Sequence, residues 1–267
     1  MLKKRIFSTI VLYSLSLYSF TLQGSWQGSW QDFWSSLWNK KQTEIITKEY
    51  DINPSATITI EVYGNVTLKP FKQKKLFIEM QGSYDELNDT ALHTEIKSSH
   101  VIVSTRSKSD VETMLDYTFL VPTGATVNLV TKKGLITLNG TEGILSVITE
   151  NGDIFINNGI STITAKAPHG KISAQQKKLP STASLFLEAG KGITLYLDRT
   201  INANLHAKTL HGAIESTLNV TLNPIKTLLN KTAWKNVMRD LKATFGNGGA
   251  PITLDVVKGN IKIEELV

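Results

Sequence analysis

The chain has 267 residues and a formal net charge of +6, and it contains no cysteine. Because disulfides, thiolate metal sites and thiol nucleophiles all need cysteine, the sequence excludes them. Three of the positive charges are Lys3, Lys4 and Arg5, and residues 1–24 hold no Asp or Glu. The charge of the remainder is ordinary for a protein surface, which argues against a nucleic-acid partner.

Residues 1–24 combine a positive head with an uncharged apolar stretch from Ile6 to Leu22. This order is typical of a secretory signal peptide. The cleavage pattern is poor, because Leu22 is large for the position two before Gly24. The segment is therefore either a cleaved signal peptide or an uncleaved N-terminal anchor. Both interpretations predict an exported protein, in the periplasm, in the outer envelope or at the cell surface.

Residues 25–43 are predicted to form a Trp-rich amphipathic segment. Its tryptophans recur every four residues, which places them on one stripe of a helix. Because the indole ring favours the membrane–water interface, such a helix could lie in the plane of a bilayer surface. The alternative is a cap on the end of the domain, since repeat proteins need end caps. The membrane-interface candidates are Trp26, Trp30, Trp34 and Trp38.

One short sequence motif, which we call the phrase, recurs from Thr131 onward. It opens with a small residue, often Thr, and continues with a glycine and then alternating aliphatic residues. The first two steps between these glycines are 18 residues long, and the next two are 22 and 20. Such self-similarity is typical of stacked repeats. The bend glycines are Gly134, Gly152, Gly170, Gly192, Gly212 and Gly259.

Each repeat holds two short alternating strands that meet at its glycine, where we expect a positive φ. Equivalent strands of successive rungs would pair about 4.8 Å apart. We therefore predict an all-β fold, a single-stranded parallel β-solenoid or β-helix with repeats of about 18–22 residues over residues 44–267. The strands of an up-and-down β-sandwich would also show alternating apolar and polar residues, but the constant spacing of the repeated phrase favours a coil. The residues predicted to point inward are Ile136, Leu138, Ile154, Ile156, Ile172, Ala174, Ile193, Leu195 and Ile214.

Residues 224–245 interrupt the repeats. Apolar residues lie there at helical spacing, basic residues lie largely opposite, and Pro224 suits a first turn. We predict a helical insertion packed on its own domain, with a membrane or partner site as the alternative. The glycine-rich residues 246–249 are expected to end the helix.

The acidic residues of the repeats occupy different positions of the phrase. A β-helical lyase or hydrolase needs carboxylates clustered on one face. We expect the carboxylates here not to align into one cluster, and we predict no catalytic residue, metal site or cofactor. No phosphate loop or nucleophile elbow is present in the sequence. The acids concerned are Glu150, Asp153, Glu188, Asp198, Glu215 and Asp255.

The residue before each bend glycine is polar in every repeat. Stacked rungs would align these residues into a ladder along one corner, either simply solvated or in contact with an anionic glycan or lipid headgroup. A metal shared by His169 and His211 is excluded, because Lys191 lies on a rung between them and two rungs separate them by roughly 9–10 Å. The corner-ladder candidates are Lys133, Asn151, His169, Lys191, His211 and Lys258.

The order of these features resembles the bacterial putative-adhesin family, which is of unknown function and related to the head domains of adhesin-like β-helical proteins. The resemblance covers about residues 44–267, while the tryptophan stripe and the helix near Trp234 depart from the family's pattern. It implies a parallel β-solenoid with a surface or envelope role, and it supplies no catalytic residue. The features that carry it are the export signal, the strand pair Ile58–Leu68, the Val121-Pro122 step, the bend glycines and the closing residues 246–263.

The sequence thus predicts a non-enzymatic exported protein of the cell envelope. Its solenoid surface would serve binding, adhesion or scaffolding, with a protein or glycan as partner. One alternative is a polysaccharide-processing enzyme on the same β-helical fold. The other is a membrane-attached structural or signalling partner that uses the tryptophan stripe and the basic helix.

Overall fold

The computed structural model describes residues 43–109, 111–159, 162–218, 221–222 and 239–266, all within the unit Gln42–Val267. These ranges contain twenty-one strands and one six-residue helix, α1 (Tyr84–Asp89), so the all-β prediction is confirmed. The strands in chain order are β1 (Thr43–Asp51), β2 (Thr57–Val62), β3 (Gly64–Phe71), β4 (Lys75–Ser83), β5 (Thr90–Ile96), β6 (His100–Ser107), β7 (Leu115–Pro122), β8 (Thr126–Lys133), β9 (Ile136–Asn139), β10 (Ile144–Asn151), β11 (Ile154–Asn157), β12 (Thr162–Ala167), β13 (Lys171–Gln176), β14 (Leu185–Ala189), β15 (Gly192–Leu197), β16 (Ala203–His211), β17 (Ile214–Ser216), β18 (Thr221–Leu222), β19 (Asp240–Phe245), β20 (Ala250–Lys258) and β21 (Ile261–Glu265).

The strands form two large sheets, which we call sheet A and sheet B. Aliphatic residues alternate along most strands, and the buried sides of both sheets contribute to one hydrophobic core. All nine residues predicted to point inward are buried, as the two-residue period of a strand requires. The strand order is β1-β4-β7-β3-β9-β11-β13-β15-β21-β17 in sheet A and β18-β19-β16-β20-β14-β12-β10-β8-β2-β6-β5 in sheet B.

Strand pairs stack as rungs, and we define a rung as a sheet B strand followed by a sheet A strand around one bend glycine. In sheet A, β11 and β13 pair in parallel, with Ile154 opposite Ile172. In sheet B, β10 and β12 pair in parallel, with Leu145 opposite Ile163. Equivalent positions of the repeated phrase therefore lie side by side on neighbouring strands.

Antiparallel strands flank the parallel rungs, so both sheets are mixed. In sheet A, β4 pairs antiparallel with β7, and β1 pairs antiparallel with β4. In sheet B, β5 flanks β6 at one end and β19 flanks β16 at the other. The prediction of strands that are parallel throughout is wrong for these segments. The flanking strands occupy backbone edges of the parallel strands that would otherwise stay unpaired.

The order of the rungs in space differs from their order in the chain at two places. The last pair, β20 and β21, lies between β14–β15 and β16–β17 and pairs in parallel with both neighbours. Near the other end, β2 and β3 lie between β6–β7 and β8–β9. The C-terminal rung is therefore an internal part of the stack.

The bend glycines are required mainly by the close approach of neighbouring rungs. A β-carbon on Gly152 would overlap the carbonyl oxygen of Gly134 on the next rung. A positive φ was expected at every bend, and Gly134 has one of 130°. For Gly152, Gly170 and Gly212 that expectation is wrong, because their φ values lie outside the positive range. At these three positions the lack of space excludes a side chain.

The threonine that opens the repeated phrase has a structural role. The Thr149 hydroxyl is buried and donates to the carbonyl oxygen of Gly134 at 2.9 Å. The hydroxyls of Thr131 and Thr209 donate in the same way to glycine carbonyl oxygens of their neighbouring rungs. Because a buried carbonyl needs a partner, each bond stabilises the bend that it reaches.

The predicted helix over residues 224–245 is wrong where the structure describes it. Residues 240–245 form β19, which pairs antiparallel with β16, and the following glycine-rich residues form a turn into β20. The residues of β19 that face the core alternate with a period of two, which is a strand pattern. They are Leu241, Ala243 and Phe245. Residues 223–238 lie outside the described ranges.

Candidate functional site

The corner ladder occupies the bends between the two sheets. All six of its residues are exposed, because the bend turns the residue before each glycine away from the core. Lys133 lies opposite Asn151, and His211 lies opposite Lys258. The lysines of the ladder form no ion pair within the described ranges. Following the rungs, the order in space is Lys133, Asn151, His169, Lys191, Lys258 and His211.

The order along the ladder corrects the predicted spacing of its histidines. Both Lys191 and Lys258 lie between His169 and His211, since the C-terminal rung is inserted there. Three rung steps of about 4.8 Å therefore separate the two histidines, where two steps were predicted. In the part of the chain that the structure describes, no group of three or more His, Asp or Glu residues could hold a metal ion.

Some ladder side chains bond to the backbone of the preceding rung. The Nδ1 atom of His169 lies 2.9 Å from the carbonyl oxygen of Glu150. The Nδ2 atom of Asn151 donates to the carbonyl oxygen of Lys132 at 3.4 Å. The side chain of Lys132 lies 2.7 Å from the Glu112 carboxylate, and this hydrogen bond raises the pKa of the lysine. Asn151 and His169 are thus the ladder residues whose side chains bond to the neighbouring rung within the described ranges.

The corner ladder borders a groove on the outer face of sheet A, which the sequence did not predict. The groove encloses about 530 Å³ and crosses β11, β13, β15 and β21. Lys171, Lys191 and Lys262 line it, together with Phe155, whose side chain is 42% exposed. Lys191 belongs to the corner ladder as well. We call these residues, with Ser173 and Thr194, the basic groove.

The register of sheet A places the groove side chains next to one another. Phe155 lies opposite Ser173, Ser173 opposite Thr194, and Thr194 opposite Lys262. Lys171 lies opposite Gly192, which has no side chain to fill the space beside it. The one sequence signal for the groove is Phe155, a large apolar residue at an outward position of the phrase.

Asp153 is the one carboxylate that lines the basic groove. Its Oδ1 atom accepts a hydrogen bond from the backbone N–H of Lys171 at 2.7 Å. None of the three groove lysines forms an ion pair with it or with another acid of the described ranges. The groove lining therefore holds three lysines and one carboxylate, and Glu215 lies just outside it, opposite Lys262 on β17.

Two of the acidic residues lie side by side on the outer face of sheet B. Glu188 lies opposite Asp255, so these two carboxylates do align on adjacent strands. A lysine flanks each of them, Lys166 opposite Glu188 and Lys208 opposite Asp255. The Lys166 ammonium lies 2.7 Å from the Glu188 carboxylate. The pair could not be predicted from spacing in the sequence, because β14 and β20 are distant in the chain and adjacent in space.

The remaining acids of the set do not join this pair. Asp153 lies in the basic groove, and Glu215 lies opposite Lys262 in sheet A. Asp198 accepts hydrogen bonds from the backbone and hydroxyl of Thr200, and these bonds lower its pKa. Glu150 is exposed on β10, away from the pair, and among the described residues no three His, Asp or Glu side chains form a group that could hold a metal ion.

The membrane-interface candidates Trp26, Trp30, Trp34 and Trp38 lie outside the described residues, as does the predicted signal at residues 1–24. Among the described residues, no helix has the length and apolar character needed to cross a membrane.

The solved structures that are similar to this chain include three bacterial proteins. A "putative cell adhesion protein" from Clostridium sporogenes is 13% identical with a TM-score of 0.47, covering 84% of this chain and 100% of its own. A "putative adhesin" from Bacteroides fragilis is 11% identical with a TM-score of 0.34, covering 85% and 99%. A "putative adhesin" from Parabacteroides distasonis is 10% identical with a TM-score of 0.24, covering 84% and 97%.

These names match the family that the sequence resembles. No family model matches the chain, and no curated protein matches it either. At this level of identity and superposition, the likeness assigns neither an activity nor a ligand to the chain.

Proposed function

We propose that the chain is a non-enzymatic, exported cell-envelope protein whose central rungs form a β-solenoid that presents a surface for binding, adhesion or scaffolding. The observation that carries the proposal is the parallel register of the rungs. It places equivalent residues of the repeat side by side, so outward side chains form continuous rows across successive strands. Rows of this kind suit the recognition of an extended partner.

The arrangement of the acids supports a role without catalysis. Glycoside hydrolysis needs two carboxylates that face the same bond from opposite sides of a sugar. Glu188 and Asp255 lie instead on one flat sheet face, and Glu188 is in contact with Lys166. The row across the strands runs Lys166, Glu188, Asp255, Lys208, so a lysine beside each carboxylate offsets the repulsion between the two acids.

Export and attachment complete the proposal. Residues 1–24 direct the chain out of the cytoplasm, residues 25–43 hold it at a membrane surface, and residues 44–267 bind. The basis is the positive head with its apolar stretch and the tryptophan stripe beside it. Liposome flotation of residues 25–267 tests attachment against a variant with the four tryptophans changed to Ser. Flotation of both proteins, or of neither, would contradict it.

Binding is tested by co-sedimentation of residues 43–267 with isolated bacterial envelopes. We expect saturable retention with no release of reducing sugar ends or unsaturated products. A heat-unfolded sample of the same protein is the control for nonspecific adsorption. Sugar release that disappears in Glu188→Gln or Asp255→Asn would instead make the protein an enzyme. Retention no greater than that of the unfolded sample would contradict a binding role.

A further inference from the structure

We propose that the basic groove binds an anionic polysaccharide and that Phe155, Lys171 and Lys262 determine this specificity. The inference rests on the proposed binding function and names the ligand class. The groove is the place in sheet A where exposed cations, an exposed aromatic ring and hydroxyl groups line one recess.

The charge of the groove selects an anion. Lys171, Lys191 and Lys262 point into it without an ion-pair partner in the described ranges. Asp153 balances one charge only, and its Oδ1 atom already accepts the Lys171 backbone N–H. A lysine ammonium is a compact charge that contacts a carboxylate without strict geometry. Several such charges in one recess concentrate anions locally.

The uncharged groups of the groove suit a sugar. A pyranose ring has an apolar face of C–H groups and a rim of hydroxyls. Phe155 offers a partly exposed ring for such a face. Ser173 and Thr194 follow it across the next two strands, and their hydroxyls can donate or accept hydrogen bonds at the rim. A small inorganic anion would use the lysines and leave this row without a role.

The dimensions suit a chain of sugars. Four strands cross the groove, so the row from Phe155 to Lys262 spans three strand spacings, or about 14 Å. The corner ladder then continues from Lys191 to Lys258 on the adjacent rung. A polymer that leaves the row toward the corner therefore still meets positive charge, whereas beyond Lys262 the row reaches Glu215.

The groove depends on the inserted C-terminal rung. Lys262 lies on β21, and this strand is next to β15 because the last rung lies between two earlier ones. With the rungs in chain order, β17 would lie beside β15, and Glu215 would occupy the place of Lys262. In that order Glu215 would separate Lys262 from Thr194, whereas in the observed order Lys262 comes first and Glu215 lies one strand beyond it.

The test is calorimetric titration of residues 43–267 with polygalacturonate oligomers and, as the neutral probe, with dextran. We expect saturable binding of polygalacturonate, which weakens as salt is raised, and none of dextran. The double variant Lys171→Gln/Lys262→Gln should bind about tenfold more weakly, and Phe155→Ser about fivefold more weakly. The matched control is Lys208→Gln/Lys242→Gln, two exposed lysines of sheet B, which should stay within about twofold of the parent.

Three results would overturn the assignment. These are equal affinities in the groove variants and the parent, equal losses in the control variant, and binding of dextran comparable to that of polygalacturonate. A further test is flotation of the same fragment with phosphatidylglycerol vesicles. If the fragment floats with them and the Lys171→Gln/Lys262→Gln variant does not, the ligand of the groove is a membrane. If the envelopes retain parent and double variant alike, the groove assignment fails while the proposed binding function stands.

Discussion

Glycines occur at the turns of this fold for two different physical reasons, and the sequence pattern alone does not distinguish them. A repeated glycine predicts either a backbone with positive φ or a close approach of another chain segment. Gly140 has a φ of 60°, and no atom lies within 4 Å of the place where a β-carbon would stand. At Gly152, by contrast, a β-carbon would overlap the Gly134 carbonyl. The sequence predicted the bend at Gly152 but not which requirement holds there, because that depends on the neighbouring rung.

Substitution of these glycines should have unequal costs. Gly152→Ala forces the rungs apart, and we expect it to lower the free energy of unfolding by about 3 kcal/mol. Gly140→Ala adds only the strain of a left-handed backbone, about 1 kcal/mol. Urea unfolding followed by circular dichroism measures both values. Equal losses would show that close approach does not require glycine at position 152.

Asp89 gives a second prediction at the scale of a residue. Its carboxylate accepts hydrogen bonds from the Ser107 hydroxyl at 2.6 Å and from the Ser109 hydroxyl at 2.8 Å. These bonds, together with one from the Ser109 backbone, hold the pKa of Asp89 below its ordinary value of 3.8. A lowered pKa in the folded state contributes stability above pH 3.8, and the contribution is lost as pH falls through the folded-state value.

The stability difference between the parent and Asp89→Asn should therefore be largest near neutral pH and should shrink below pH 3.8. Thermal unfolding of both proteins between pH 7 and pH 2 measures it. Asp85→Asn, an exposed acid of α1, is the matched control. A difference that is constant over the whole range would rule out the stabilised carboxylate.

At the scale of an element, strand β11 places neighbouring side chains in opposite environments. Ile154 is fully buried, and the next residue, Phe155, is 42% exposed. Ile154→Asp buries an unpaired charge, so we expect loss of cooperative unfolding. Phe155→Ser should change the free energy of unfolding by less than about 1 kcal/mol. Calorimetric melting of both variants provides the comparison, and a stable Ile154→Asp protein would contradict the inward assignment.

Strand β19 shows why one element was predicted wrongly. Leu241 and Phe245 are four residues apart, a spacing that fits one face of a helix and equally one face of a strand. The core-facing residue Ala243 between them is small and carries little hydrophobic signal. The decisive contact is with β16, about thirty-five residues away in the chain. Pairing between strands that are distant in the chain does not produce a periodic pattern in the sequence.

For the whole molecule, the repeated phrase predicted the rungs, their bends and their inward residues. It could not predict their order. Every rung presents similar aliphatic residues to its neighbours, so the phrase does not encode which rung lies next to which. The basic groove was missed for the same reason, because Lys262 joins Lys171 only through the insertion of β21. The position of the corner-ladder residues could be predicted, since it follows from the bend alone, and their role in binding stays a prediction.

Disulfide cross-linking reports the order of the rungs, on which the fold and the basic groove depend. The chain has no cysteine, so an engineered pair has no competing thiol. His211 lies opposite Lys258, within the Cα separation that a disulfide needs, whereas His211 and Lys191 are two rungs apart, about 10 Å. Lys133→Cys/Asn151→Cys, a neighbouring pair, is the positive control.

Oxidised samples would be scored by mobility on a non-reducing gel and by mass spectrometry of the linked peptides. We expect His211→Cys/Lys258→Cys to form an intramolecular disulfide as completely as the positive control, and Lys191→Cys/His211→Cys to remain reduced. A disulfide in Lys191→Cys/His211→Cys, with none in His211→Cys/Lys258→Cys, would place the rungs in chain order and contradict both the inserted C-terminal rung and the groove that depends on it.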